Sequence, residues 1–104
     1  MIYLITRHPG ALEWLRKNIN AQVVRNLDHL DDVNIIRQGD TVIGTLPVNL
    51  VAEVCRRGAR YLHLQINIPR ELRGHELSAQ QINELGGVLV EYIVHRPGVC
   101  DELL

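Results

Sequence analysis

The sequence predicts a single small α/β domain: a mostly parallel sheet flanked by helices. Three observations predict it. Compact apolar runs rich in β-formers, at residues 2–6, 22–27, 41–44 and 60–68, alternate with stretches of helical periodicity. Strands that alternate with helices form parallel sheets, because each crossover helix returns the chain to the same end of the sheet. A length of 104 residues is the size of one domain and too short for two.

Ile2–Thr6 is apolar almost throughout, the pattern of a strand covered on both faces. With no basic stretch before it and no small-residue cleavage site after it, it reads as a strand and not as a signal peptide. Arg7-His8-Pro9-Gly10 breaks it. Ala11–Asn18 follows as a helix, with Leu12, Leu15 and Ile19 inward and Glu13, Arg16 and Lys17 on the polar side. Gln22–Leu27 is a short strand, and Asp28–Asp32 is a polar connection. Val33–Ile36 fits either an edge strand or an irregular link. Gln38-Gly39-Asp40 is a turn signal, and Thr41–Gly44 is another buried strand.

Thr45–Asn49 closes that strand and opens a helix running to Arg57. Pro47 suits its first turn, where a missing N–H costs nothing. Leu50, Val51, Val54 and Cys55 form its apolar side, and Gly58 ends it. Arg60–Ile68 alternates apolar with polar residues, as a strand does. Pro69–Leu77 is a charged loop. Ser78-Ala79-Gln80-Gln81 carries a capping-box pattern and opens a helix expected to run to about Val94, with Ile82, Leu85, Leu89, Tyr92 and Ile93 inward. Gly86-Gly87 inside that helix would weaken it by roughly 1 kcal/mol per glycine against alanine. Close packing of another backbone, across a dimer, is the expected reason for them. The domain is expected over residues 1–96, with a short tail at 97–104. The element order β-α-β-(β)-β-α-β-α is Rossmann-like, and in such sheets the ligand crevice lies outside the carboxyl ends of the strands. Three breaks fall there: residues 7–10, 45–49 and 69–77.

Composition narrows the function classes. The chain is 46% hydrophobic and 22% charged, enough for a modest core, and its net charge is −1. That is not the basic balance of a protein that coats duplex DNA, but it leaves room for a small anion held by local cations. No segment reaches the ~20 apolar residues needed to cross a bilayer. Cys55 and Cys100 form no CxxC pair, so a cytoplasmic protein with two reduced thiols is expected. A domain this small often gains stability by pairing, so a homodimer is expected.

The three breaks hold the chemistry. Arg7 offers a forked donor suited to phosphate, and His8 can move a proton near neutral pH. Pro9 and Gly10 open a helix whose N-terminus attracts anions, with glycine permitting close approach. Against this stands a plain strand-to-helix turn. Thr45, Leu46, Pro47 and Asn49 flank the next helix start, where a hydroxyl and an amide could bond a phosphate or a base. Helix capping by Thr45 would account for that residue equally well. Arg70, Arg73, His75 and Glu76 in the third loop suit a polyanion, or form an ordinary solvated loop. GxGxxG, Walker A and HExxH patterns are all missing, so neither a dinucleotide, nor ATP, nor a bound metal is expected, and no cofactor is implied. Ser78, the only serine, is committed to a cap, which disfavours a Ser-His-Asp arrangement.

Several separated motifs are distinctive. They are Ile5-Thr-Arg-His-Pro-Gly-Ala-Leu-Glu-Trp14, Gly39-Asp-Thr-Val-Ile-Gly-Thr-Leu-Pro-Val-Asn-Leu-Val-Ala-Glu-Val-Cys55, Gly58-Ala-Arg-Tyr-Leu-His-Leu64 and Arg73-Gly-His-Glu-Leu-Ser78. Together, over roughly residues 1–94, they resemble a family of small CRISPR-associated accessory proteins of type III systems. The resemblance implies kinship with CARF-type (CARF-like) Rossmann domains that bind cyclic oligoadenylates. It also implies a ring nuclease that linearises cyclic tetra-adenylate and switches off the antiviral response. The matching positions are Arg7 and His8; Thr45, Pro47 and Asn49; and Arg73 and His75.

Under that resemblance a metal-free route fits. The ligand's 2′-hydroxyl attacks the adjacent phosphorus and leaves a 2′,3′-cyclic phosphate. Arg7 and the helix start at residues 10–12 stabilise the phosphoryl charge. His8 acts as the acid that protonates the leaving oxygen, or as a base. Thr45 and Asn49 hold ribose or adenine, and Arg73 and His75 close over the ring. Three rivals are a protein that binds the ring without cutting it (a sponge or sensor), an enzyme for another small phosphorylated substrate, and a structural partner of a larger complex.

Overall fold

Alternation along a strand sends successive side chains to opposite faces of a sheet, and here both faces find cover. The structure is a computed structural model that describes residues 1–20 and 24–103. Strands β1 (Ile2–Ile5), β2 (Val24–Leu27), β3 (Thr41–Gly44) and β4 (Arg60–Gln65) run parallel, and β5 (Val88–Tyr92) lies antiparallel against β4. The sheet order is β2-β1-β3-β4-β5. Residues 22 and 23 of the expected second strand lie outside the described residues. The helices are α1 (Pro9–Asn18), α2 (Val48–Arg56) and α3 (Ala79–Glu84). This is a small Rossmann-like α/β fold.

On one face, Leu4, Ile43 and Leu64 pack with Trp14 and Leu15 of α1 and with Ala79 and Ile82 of α3. On the other, Tyr3, Ile5, Val42 and Tyr61 pack with Val51 and Val54 of α2 and with Leu30 and Ile36. The two helix layers follow from chain direction. From β1 the chain steps outward to β2, whereas from β3 it steps the opposite way to β4. Right-handed crossovers then place α1 and α2 on opposite faces. Val33–Ile35 forms a single 3-10 turn, with the Asp32 carboxylate accepting the Asn34 N–H at 3.0 Å. The stretch is therefore the irregular link and not an edge strand.

The last element differs from expectation. The helix expected to reach Val94 ends at Glu84, and Val88–Tyr92 is a strand. Ser78 and Gln81 do form the capping box at its start. At its end Gly86 takes φ +75°, and two backbone bonds close the turn: Gly86 N–H to Asn83 O at 3.1 Å and Gly87 N–H to Ile82 O at 2.8 Å. That is a Schellman stop, which a glycine in the left-handed region makes inexpensive. The glycine pair therefore terminates the helix within the chain, and no second backbone is needed to explain it. A Cβ on Gly87 would lie 2.5 Å from Ile82 Cγ2. Beyond the turn, Val88 and Val90 are β-branched, and β4 has an open edge to pair with.

Two boundaries moved in ways that shape the crevice. Helix α1 begins at Pro9, two residues early, and β4 ends at Gln65, which leaves Ile66–Ile68 as wall beyond the sheet.

Candidate functional site

The crevice opens where the winding reverses. Ile5 of β1 and Gly44 of β3 are register partners, and past them the two chains part toward opposite helix layers. In open α/β sheets this switch point is where ligands bind. Two cavities of about 220 and 350 Å³ flank it, and Ile5, Thr6, His8 and Thr45 line both. The smaller one, on the α1–α3 side, has apolar walls from Leu15, Leu64, Ile66 and Ile82, with His75 and Glu76 from the third loop. The larger one is the more polar of the two and takes in Arg7, Asp28, His29, Asp31, Leu46 and Pro47.

The first loop is shaped by its own turn and by a distant one. Thr6 Oγ1 accepts the His8 N–H at 3.1 Å, and the first helical bond of α1 runs from Leu12 N–H to His8 O at 3.0 Å. Pro9 has no N–H, so Gly10 and Ala11 supply the free donors of the first turn. Gly10 itself is buried, and a Cβ there would sit 1.8 Å from the Leu77 carbonyl oxygen. Its missing side chain thus admits the third loop, not a ligand. This contact, with the Ser78 cap next to it, brings the entrances of α1 and α3 together. As a result Glu76 Oε1 lies 2.8 Å from His8 Nδ1, across 68 residues of sequence.

The second loop is held from beneath. The buried Tyr61 hydroxyl accepts the Leu46 N–H at 2.9 Å and donates to Gly44 O at 3.0 Å. His63 Nδ1 lies 2.7 Å from the same oxygen. Because the hydroxyl proton is used on Gly44, the ring assigned as the Nδ1–H tautomer satisfies all three contacts. Burial pushes the Tyr61 phenol above its ordinary pKa, and the Leu46 N–H partly opposes this. His63 also meets Tyr92 edge to face, with centroids 5.8 Å apart. The cap of α2 is Pro47, without a side-chain bond, so Thr45 is not its cap. Thr45 is instead exposed on the crevice.

The expected residues divide accordingly. Arg7, Leu46 and Pro47 line the polar cavity, His75 lines the apolar one, and His8 and Thr45 line both. Pro9, Gly10, Asn49, Arg70 and Arg73 line neither. Pro9 sits on the outer side of α1, and Asn49 is exposed on α2. Arg70 lies in a 3-10 turn (Arg70–Leu72), with Arg73 just after it, both exposed. Sequence reasoning passed over Thr6, Asp28, His29 and Asp31, and it counted Glu76 only among loop charges. The available signal for Glu76 was its place two residues before the Ser78 cap, matching His8 at the entrance of α1. Among the described residues, no group of three His, Cys, Asp or Glu side chains is placed to hold a metal ion. No helix among them is long and apolar enough to cross a membrane.

A family model described as "Putative CRISPR-associated protein (Cas_VVA1548)" matches residues 3–95. The chain belongs to this family. The match takes in β1 from Tyr3 onward, the other four strands and both crevice loops. The comparison with curated proteins and that with solved structures each returned no match.

Proposed function

We propose that this CRISPR-associated chain is a metal-independent ring nuclease. It binds cyclic tetra-adenylate over the β1–β3 crevice and opens it, ending type III signalling in the cytoplasm. The observation that carries this reading is convergence: Thr6, His8 and Thr45 line both cavities, and Arg7 lines the larger one beside them. Neither cavity is large beside the roughly 300–1,000 Å³ of common ligand pockets. A four-nucleotide ring exceeds either cavity alone, and a homodimer would meet a two-fold ligand with the same residues twice.

The chemistry is positioning and charge stabilisation. The ligand's 2′-hydroxyl is held in line with the departing 5′-oxygen. Its proton leaves, the O2′–P bond forms, and the P–O5′ bond breaks with its electron pair passing to O5′, which takes a proton. The products carry 2′,3′-cyclic phosphate and 5′-hydroxyl ends. Arg7 and the free Ala11 N–H at the start of α1 face the extra charge on the phosphoryl oxygens. His8, on both cavities, is the proton-transfer residue. Thr45 holds a ribose or base edge.

The test is incubation of the purified chain with labelled cyclic tetra-adenylate in excess chelator, beside a His8→Ala variant. Linear products ending in 2′,3′-cyclic phosphate, lost in the variant, are expected. An intact ring bound tightly would make the protein a sponge, and the absence of both binding and cleavage would redirect the search to another phosphate ligand.

A further inference from the structure

We infer that Glu76 is the positioning residue for His8: its carboxylate holds the ring through Nδ1–H, so that Nε2 meets the ligand's 2′-hydroxyl as a base. The inference rests on the ring-cleavage reading for its chemical consequence, but the placement of the ring stands apart from it. A carboxylate accepts and does not donate, so at 2.8 Å the proton of the neutral pair sits on Nδ1. The lone pair of the neutral ring is then on Nε2, the only ring nitrogen left for the ligand. In the reaction the 2′-hydroxyl proton passes to Nε2, the O2′–P bond forms, and the P–O5′ bond breaks. O5′ takes a proton from solvent water, and the imidazolium returns its own to solvent.

Two features separate this pair from an incidental surface contact. The first is its place: His8 and Glu76 line the same cavity, with side chains 50% and 67% exposed and so within reach of a ligand. The second is that its geometry is enforced from the backbone. Leu77, next to Glu76, is seated against Gly10, two residues beyond His8, and α3 starts at once behind the Ser78 cap. Glu76 is also part of the apolar cavity wall on which His8 lies.

The experiment uses the wild-type chain, Glu76→Leu, which removes the acceptor, and Glu76→Gln, which keeps an acceptor oxygen without the charge. Imidazole nitrogen NMR on the ligand-free proteins, at a pH where histidines are neutral and with His8 assigned by His8→Ala, reads the tautomer. Expected are Nδ1–H for wild type and a loss of that form in Glu76→Leu, with Glu76→Gln between them and melting temperatures unchanged. With cyclic tetra-adenylate, kcat falls on the order of 10- to 100-fold in Glu76→Leu, part of the ~10²–10⁴ that a placed proton-transfer group contributes. KM stays within about twofold, and Glu76→Gln recovers part of the rate. A wild-type ring in the Nε2–H form, a tautomer unmoved in Glu76→Leu, or an unchanged kcat in that variant overturns the inference. A wild-type chain that cuts nothing sinks the ring-cleavage reading instead, and the tautomer measurement then decides the placement alone.

Discussion

The two loops at the switch point do the same topological job with different anchors. The loop after β1 is held at its exposed side, by the His8–Glu76 hydrogen bond and by a backbone seated on Gly10. The loop after β3 is held from the core, by the Tyr61 hydroxyl gripping Leu46 and Gly44. The first arrangement leaves polar groups accessible and costs little to rearrange, which suits residues that act on a ligand. The second sits in low dielectric, where an unmade hydrogen bond is expensive, which suits a fixed wall. Accessibility and rigidity are thus divided between neighbouring loops.

Substitutions can separate these roles. The largest effect is expected from Arg7→Ala in the first loop. Cleavage of cyclic tetra-adenylate should fall by roughly 10²–10³, the usual loss when one preorganised charge-stabilising donor is removed. Because Arg7 is exposed, its denaturation midpoint should match wild type. A variant that cuts normally would remove Arg7 from the mechanism.

Gly10→Ala should act on both function and fold. Its methyl would meet the Leu77 carbonyl, so the α1 and α3 entrances must part, at a cost of about 1–3 kcal/mol in urea unfolding. Ring cleavage should fall with it, because Glu76 leaves His8. A variant as stable as wild type would show that the two entrances are not clamped.

Tyr61→Phe tests the second loop. It leaves the Leu46 N–H without its acceptor and should cost about 1–2 kcal/mol. The sign of its pH dependence follows from burial, which raises the folded phenol above the unfolded one. Above about pH 10 the unfolded chain loses this proton while the folded chain keeps it, so the contribution is full below that pH and is lost as pH rises. Comparing alkaline unfolding of wild type and Tyr61→Phe isolates the effect, and parallel curves would refute it.

The smallest effect is expected outside the crevice, at Glu91→Gln on β5. The Arg60 hydrogen bond holds the Glu91 carboxyl below its ordinary pKa, so any gain is present above the ordinary carboxylate range and is lost as pH falls through the lowered value. The pair is open to solvent and salt, so the melting temperature of Glu91→Gln should equal that of wild type. A clear drop would mean that the sheet edge depends on the pair.

Most of the fold was legible because its signals are local. β1 and β3 announce themselves as apolar runs, and the Ser78–Gln81 cap reads directly from four residues. The end of α3 was misread because Ile82, Leu85, Leu89 and Tyr92 keep helical spacing, while the cue against it, Gly86-Gly87 before β-branched valines, was assigned to packing. The crevice loops were legible from strand ends and Arg-His chemistry. Glu76 was not, because its partner is 68 residues away.

Local chemistry thus wrote the α/β class, the parallel core and the strand-end position of residues 7–8 and 45–47 into the chain, through hydrophobic period and backbone preference. Tertiary packing alone settled that residues 88–92 join β4 as an antiparallel strand. It also set Gly10 to receive Leu77 instead of a ligand, and Glu76 to face His8. Each of these depends on surfaces that meet only when distant segments close over one another, and no window of sequence contains both partners.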